Sequence, residues 1–180
     1  MSGYGCEDHF LETDTFTHCW ESIISLLSDD TTDGIICDIG MPVLHRGVRY
    51  NCRLFILDRA ILLVRPKVYL ADDGNYRESR WFTPWADAAS HLTALETLML
   101  PPEVAAVTGQ RTAPFGLGVL ATTDGTIAAE TCEELFTPAS PHIALGLDGV
   151  DIITNGSGSH HQLRKLHTRV DLMRGATTKG

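Results

Sequence analysis

The stretch 129-AETCEELFTPASP-141 places one cysteine, Cys132, directly before two carboxylates, Glu133 and Glu134. TIAAET, residues 126–131, reads as the strand that delivers the cysteine, and Pro138 and Pro141 punctuate a loop beyond it. A cysteine opening a sharp turn at a strand end suits nucleophilic catalysis. The turn lifts the sulfur out of the sheet, and the backbone N–H groups that follow can stabilise an oxyanion. A cysteine also packs well as a small buried apolar residue, so the rest of the chain has to decide between the two readings.

Working outward, 180 residues suffice for one domain with a sizeable core. A hydrophobic content of 43% with 21% charged residues fits a globular protein rather than a disordered one. The net charge of −9 argues against nucleic acid or an anionic membrane surface as the main partner. No apolar run reaches membrane-spanning length, and MSGYGCEDHF lacks the basic and apolar regions of a secretory signal. Five cysteines, odd in number and irregularly spaced, read as reduced thiols, which implies a cytoplasmic setting. Neither a CxxC pair nor HExxH occurs, so no metal site is expected. His160 and His161 are adjacent and would face different ways on a helix.

Taken in order, residues 1–9 read as a loop. Glu12–Leu27 reads as a helix capped by Thr13 or Asp14, with Phe16, Trp20, Ile23, Ile24 and Leu27 on its apolar face. Strands are expected at Gly34–Val43, Val48–Leu57 and Ala60–Pro66, the last two forming an antiparallel hairpin over Asp58-Arg59. Residues 71–85 are irregular. His91–Leu100 suggests a short helix ended by Pro101-Pro102, and Glu103–Val107 a short helix or strand. Gly116–Thr122 and Thr126–Thr131 read as strands joined at Asp124-Gly125. Pro141–Leu147 reads as a helix, Val150–Thr154 as a buried strand and His160–Arg174 as a helix. The class is α/β, with polar groups at strand ends above a packed sheet. The sequence opens inside a loop and closes on MRGATTKG, so both ends read as cut.

Several blocks then carry a resemblance: GYGCEDHF, ICDIGMPVLHRGVRYNCR, RPKVYLADDGNYRESRWFTPW, CEELFTPASPHIALGLDGVDIITNGSGSHHQLRK and TRVDL. In this order they resemble the glutaminase domain of eukaryotic-type glutamine-dependent NAD synthetases, within the nitrilase or carbon–nitrogen hydrolase superfamily. The resemblance runs through nearly the whole chain and is weakest between Ala86 and Thr112. It implies a four-layer αββα sandwich, here truncated at both ends, so that residues 1–180 form a partial hydrolase domain without the synthetase domain. With strands missing at either end, exposed sheet edges would invite association or misfolding.

The resemblance also implies the chemistry. Such domains hydrolyse L-glutamine with a Glu–Lys–Cys triad and pass ammonia to a synthetase domain, which amidates an ATP-activated nicotinate dinucleotide. The family nucleophile falls on Cys132 and its lysine on Lys67. Glu78, in GNYRES, matches a fourth member that orients the lysine. Tyr76, Ser159 and Lys165 match substrate-binding positions, Lys165 standing where relatives carry a basic group for the substrate carboxylate. The Glu133 backbone N–H is the expected oxyanion donor, and Phe136 is a candidate pocket wall. The family's general-base glutamate lies in a PELE-like segment before the GYG block, and the sequence as it stands has no match to it. ATP and Mg are expected only with the synthetase domain, and the full-length form is expected to be a homo-oligomer.

Each assignment has a plainer counterpart. A lysine past a strand is ordinarily a solvated group, Tyr76 could be a half-buried aromatic, and Glu78 could pair with Arg77 or Arg80. A Gly/Ser loop before a helix is a common turn, and Arg164-Lys165 could be a solvated helix face. Two functions follow: a glutaminase supplying ammonia for NAD synthesis, or a non-catalytic remnant of the fold lacking its general base.

Overall fold

The computed structural model describes residues 2–85, 95–160 and 162–179. The element order is α1 (Thr13–Leu27), β1 (Cys37–His45), β2 (Val48–Leu57), β3 (Ala60–Pro66), β4 (Glu96–Met99), α2 (Pro102–Thr108), β5 (Thr112–Phe115), β6 (Leu120–Ala121), β7 (Thr126–Thr131), α3 (Pro141–Leu147), β8 (Ile152–Gly156) and α4 (Leu166–Lys179). Two sheets form, one in the order β1-β2-β3-β5-β4 and one in the order β6-β7-β8.

Tandem hairpins build the first sheet. His45 pairs with Val48 across Arg46-Gly47, and Leu57 pairs with Ala60 across Asp58-Arg59. All four turn residues have positive φ, between 48° and 78°, the conformation of a two-residue turn whose twist matches the strands. The second hairpin matches the sequence reading. The first was not anticipated, because Gly34–Val43 was expected to stop near Pro42. Instead β1 runs to His45 with Pro42 opposite Asn51. Proline is tolerated there because β1 is an edge strand.

Side-chain alternation divides the interior in two. Leu54 and Ile56 of β2, with Met41 and Val43 of β1, pack under Trp20, Ile23 and Leu27 of α1 and Val104 of α2. Phe55 and Leu63 point the other way and meet Ala129, Leu120 and Ile127 of the second sheet. Ile61 and Val64 share the helix side because the pairing shifts between Phe55 and Ile56, leaving Leu62 as the extra residue of a bulge. Beyond the second sheet, Glu130 of β7 accepts hydrogen bonds from the His142 backbone N–H (2.5 Å) and its Nδ1 (2.9 Å), holding α3. Helices, sheet, sheet and helix give the expected four layers.

The two sheets are also tied by polar groups. Arg53 donates to Asp38 through Nε (2.7 Å) and Nη2 (2.6 Å), and Thr154 of β8 donates its hydroxyl to the same carboxylate at 2.5 Å. A Cβ on Gly156 would fall on Arg53 Nη1, so the guanidinium tip occupies the space that a side chain there would need.

Several expectations are corrected. Residues 4–11 form a 3-10 helix kinked at Glu7 rather than a loop. Glu12, not Thr13 or Asp14, is the N-cap of α1; those two already lie in its first turn. The suggested helix 91–100 is a strand over Glu96–Met99, and residues 91–94 lie outside the described part. Pro101 and Pro102 begin α2 rather than ending a helix, since proline suits the first helical turn, where its missing N–H costs nothing. Within 116–122 only Leu120–Ala121 is strand, while Thr112–Phe115 forms a strand that the sequence reading missed. β8 is an edge strand with Ile152 exposed, not a buried strand. The last helix starts at Leu166 instead of His160.

Candidate functional site

Lys67 leaves β3 directly behind Arg65 and Pro66. Its backbone N–H still donates to the Asn51 carbonyl at 2.8 Å, which keeps the side chain on the sheet's end rather than in solvent. Its ammonium donates to Glu78 Oε2 at 2.5 Å, and both side chains are only 1% exposed. Glu78 Oε2 also accepts the Ala71 N–H at 2.8 Å, and Oε1 accepts Asn51 Nδ2 at 2.7 Å. Three donors from three segments thus fix one carboxylate. Glu78 is presented by a 3-10 turn, residues 78–80, whose first carbonyl accepts the Trp81 and Phe82 N–H groups. A buried ion pair survives only with such extra hydrogen bonds, so the lysine is a fixed ammonium in a dry setting.

Cys132 follows β7 with φ 46° and opens a 3-10 turn, residues 132–135. The left-handed region costs a non-glycine residue about 1 kcal/mol or more. Such cost persists where the surroundings determine the conformation, and here they do. Glu134, the glutamate that closes the Thr-x-x-Glu pattern starting at Thr131, reaches back to accept the Thr131 N–H at 2.6 Å. Ser157 Oγ, just past β8, lies 3.4 Å from Cys132 Sγ. The cysteine is 6% exposed. Burial pushes the neighbouring Glu133 carboxyl up, Asp73 adds to that, and Lys67 opposes it.

Cys132, Lys67 and Glu78 share one cavity of about 300 Å³, whose wall also includes Tyr4, Asn51 and Ser157. Burial, followed by the nearby Glu78 and Cys132, pushes the Tyr4 phenol up. The Tyr4 ring connects the cavity to an aromatic rim: its centroid is 5.2 Å from that of Tyr76 and 6.2 Å from that of His160. Tyr76 stacks on His160 at 4.8 Å and accepts the His160 N–H through its hydroxyl at 3.1 Å. Lys165 Nζ lies 6.0 Å from the Tyr76 ring centre and 5.8 Å from that of Phe136. The cavity offers a thiol and a buried ammonium, and the aromatic cluster next to Tyr4 adds a half-buried cation.

The structure therefore brings Cys132, Lys67 and Glu78 together. It sets Tyr76, Lys165 and Phe136 in an adjoining cluster and leaves Ser159 outside the cavity wall, its N–H 3.3 Å from Ser157 Oγ. Ser157, two residues earlier in the same NGSGS loop, is the hydroxyl beside the sulfur. Asn51, Arg65 and Glu134 went unread as site residues. The Thr-x-x-Glu spacing of 131–134 could have flagged Glu134, but nothing local flags Asn51 or Arg65, whose partners are distant in sequence. Among the described residues no three His, Cys, Asp or Glu side chains come together to hold a metal ion, and no helix is long and apolar enough to cross a membrane. His161 lies outside the described part.

Comparison with known proteins gives concordant matches. The family profile described as carbon-nitrogen hydrolase matches residues 1–178. The glutamine-dependent NAD(+) synthetase of Dictyostelium discoideum is 58% identical over 180 residues, covering 99% of this chain and 25% of that protein. The corresponding Saccharomyces cerevisiae protein is 57% identical over 179 residues, covering 99% of this chain and 24% of its own length. The crystal structure of a glutamine-dependent NAD(+) synthetase from Cytophaga hutchinsonii superposes with a TM-score of 0.78 at 26% identity, covering 97% of this chain and 26% of that one. The chain thus spans about a quarter of the length of these relatives.

Proposed function

The chain belongs to the carbon–nitrogen hydrolase family, and on that premise we propose that its site hydrolyses the side-chain carboxamide of L-glutamine, releasing ammonia. In the complete protein that ammonia would serve a synthetase domain that makes NAD from its deamido precursor with ATP and Mg. The glutaminase site itself needs no cofactor. The observation that carries the reading is the shared cavity of Cys132 and the buried Lys67–Glu78 pair, in a chain 58% identical to a glutamine-dependent NAD(+) synthetase.

The chemistry follows from these groups. The thiolate of Cys132 attacks the carboxamide carbon and the carbonyl π electrons move onto oxygen. The Lys67 ammonium and the Glu133 N–H are the donors assigned to that oxyanion. Lys67 lines the same cavity as the sulfur, so its positive charge attracts the attacking anion as well as the oxyanion. Collapse of the tetrahedral intermediate breaks the C–N bond, and the nitrogen leaves as ammonia after taking the proton that the thiol gave up, a transfer that falls to the general-base glutamate the resemblance implies. Water then attacks the thioester, giving glutamate and free thiol. Glu78, occupied by three donors, holds the lysine rather than carrying that proton. Tyr76 and Lys165 face the amino-acid end, the cation suiting its carboxylate, and Ser159 is assigned to the same end.

The test is glutamate and ammonia release by the complete protein that contains residues 1–180, supplied with glutamine, with Cys132→Ala as the control. Release that the substitution abolishes is expected. Absence of release from folded protein, or release that survives the substitution, overturns the reading for this chain.

A further inference from the structure

Glu134 has no place in the chemistry above, yet it is the most completely buried carboxylate beside the site, with 0% side-chain exposure. Its two oxygens collect three donors. Oε2 accepts Arg65 Nη1 at 2.5 Å and the Thr131 N–H at 2.6 Å, and Oε1 accepts the Val68 N–H at 2.6 Å. Arg65 and Val68 lie on either side of Lys67, and Thr131 immediately precedes Cys132. The carboxylate therefore spans two segments 66 residues apart in sequence. It grips each at the residues that flank a reacting group, and it touches neither reacting group.

β3 pairs with β2 and β5, and β7 pairs with β6 and β8, so among the described residues no backbone ladder joins the sheet holding the lysine to the sheet holding the cysteine. What sets the distance between two sheet ends is side-chain packing and whatever polar links cross the gap. Apolar contacts such as those of Phe55, Leu63 and Ala129 resist separation but are tolerant of sliding. Three convergent hydrogen bonds to one ionised carboxylate are directional and short.

We propose that Glu134 is a positioning residue that sets the Cys132 sulfur against the Lys67 ammonium, an inference that rests on the reading of those two as the reacting pair. Arg65 supplies the countercharge, 2% exposed, which makes the buried carboxylate tolerable. The three donors explain why an acid is required. A glutamine of the same length would turn an amide NH₂ towards at least one N–H group and lose that link, loosening the clamp between the two segments.

The test measures glutamine turnover and, separately, the carboxamidomethylation rate of Cys132, followed by mass spectrometry of its peptide. Glu134→Gln, Glu134→Asp and Lys67→Met are compared, with circular dichroism to establish folding. In Glu134→Gln we expect kcat to fall on the order of tenfold to a hundredfold, the cost of a small misplacement, with KM within about twofold. Its thiol should lose most of the rate that Lys67→Met loses, and the double variant Glu134→Gln with Lys67→Met should lose little more, because the two changes remove the same proximity. Glu134→Asp retains the charge but not the reach and should behave similarly. Unchanged kcat and thiol reactivity in folded Glu134→Gln overturn the assignment. So does additive loss in the double variant, as does a failure of both Glu134 variants to fold, which would make the residue purely structural. Because the alkylation arm needs no turnover, an inactive parent chain would count against the glutaminase reading while leaving this inference testable.

Discussion

Replacing Glu78 by glutamine changes one atom of the site's most buried pair. Lys67 and Glu78 are each 1% exposed and 2.5 Å apart, so the substitution leaves an ammonium in a dry site without its countercharge. Removing one partner of such a pair costs about 3–5 kcal/mol, against a total stability of roughly 5–15 kcal/mol for a domain. At about 2–4 °C per kcal/mol for a chain of this size, Glu78→Gln should lower the melting temperature by about 6–20 °C. The converse, Lys67→Met, should be milder, because Glu78 keeps the Asn51 and Ala71 donors. The sharper expectation concerns the double variant. Lys67→Met with Glu78→Gln leaves no unpaired charge, and the glutamine oxygen can still accept from Asn51 or Ala71. It should therefore be more stable than Glu78→Gln alone, by at least half of the lost free energy, while remaining inactive. Urea denaturation of the four proteins followed by circular dichroism measures this. If the double variant is no more stable than Glu78→Gln, the penalty does not come from a stranded cation and the electrostatic account of the pair is wrong.

Two further outcomes follow from other contacts. Gly156→Ala would place a methyl group on Arg53 Nη1 and displace the guanidinium from Asp38; overpacking of this kind costs about 1–3 kcal/mol, readable as a lower denaturation midpoint, and Arg53→Ala in the same background should recover little if the lost tie to Asp38 matters as much as the clash. Asp8 is held well below the ordinary carboxylate range by hydrogen bonds from Arg80 and from Trp81 Nε1–H. The unfolded chain therefore takes up this proton at higher pH than the folded chain, so the stability Asp8 contributes is complete above about pH 4 and lost as pH falls further. Asp8→Asn should lower the melting temperature at neutral pH and flatten its acid limb; an unchanged acid limb would remove Asp8 from the account.

The legible parts of the fold were those whose cause is local. α1 showed its buried stripe, the Asp58-Arg59 turn lay between two alternating runs, and Thr126–Thr131 and Pro141–Leu147 had clear punctuation at both ends. Reading failed where tertiary context overrode the local signal. Thr112–Phe115 contains Pro114 and is only four residues long, so nothing local marks it as a strand; it exists because β3 and β4 lie on either side. Ile152 and Ile153 read as interior because both are large, β-branched and apolar, yet β8 is an edge. The site divides in the same way. Cys132, Lys67 and Glu78 were reached through motif blocks, and the cavity brings them together. Asn51, Arg65 and Ser157 act through partners 25 or more residues away, a separation that no local pattern encodes.

The uneven reach of the pairings also orders the folding of this chain. β1, β2 and β3 are neighbours in sequence joined by two-residue turns, so their ladders close short loops at small entropic cost. The strands around Cys132 are different: β7 pairs in parallel with β8, Ile127 against Ile152, and the Glu134 links to β3 cross more than sixty residues. Contacts of that span form late. The expectation is that the lysine half of the site assembles first on the local hairpins and the thiol joins it later, an order that pulsed alkylation of Cys132 during refolding measures.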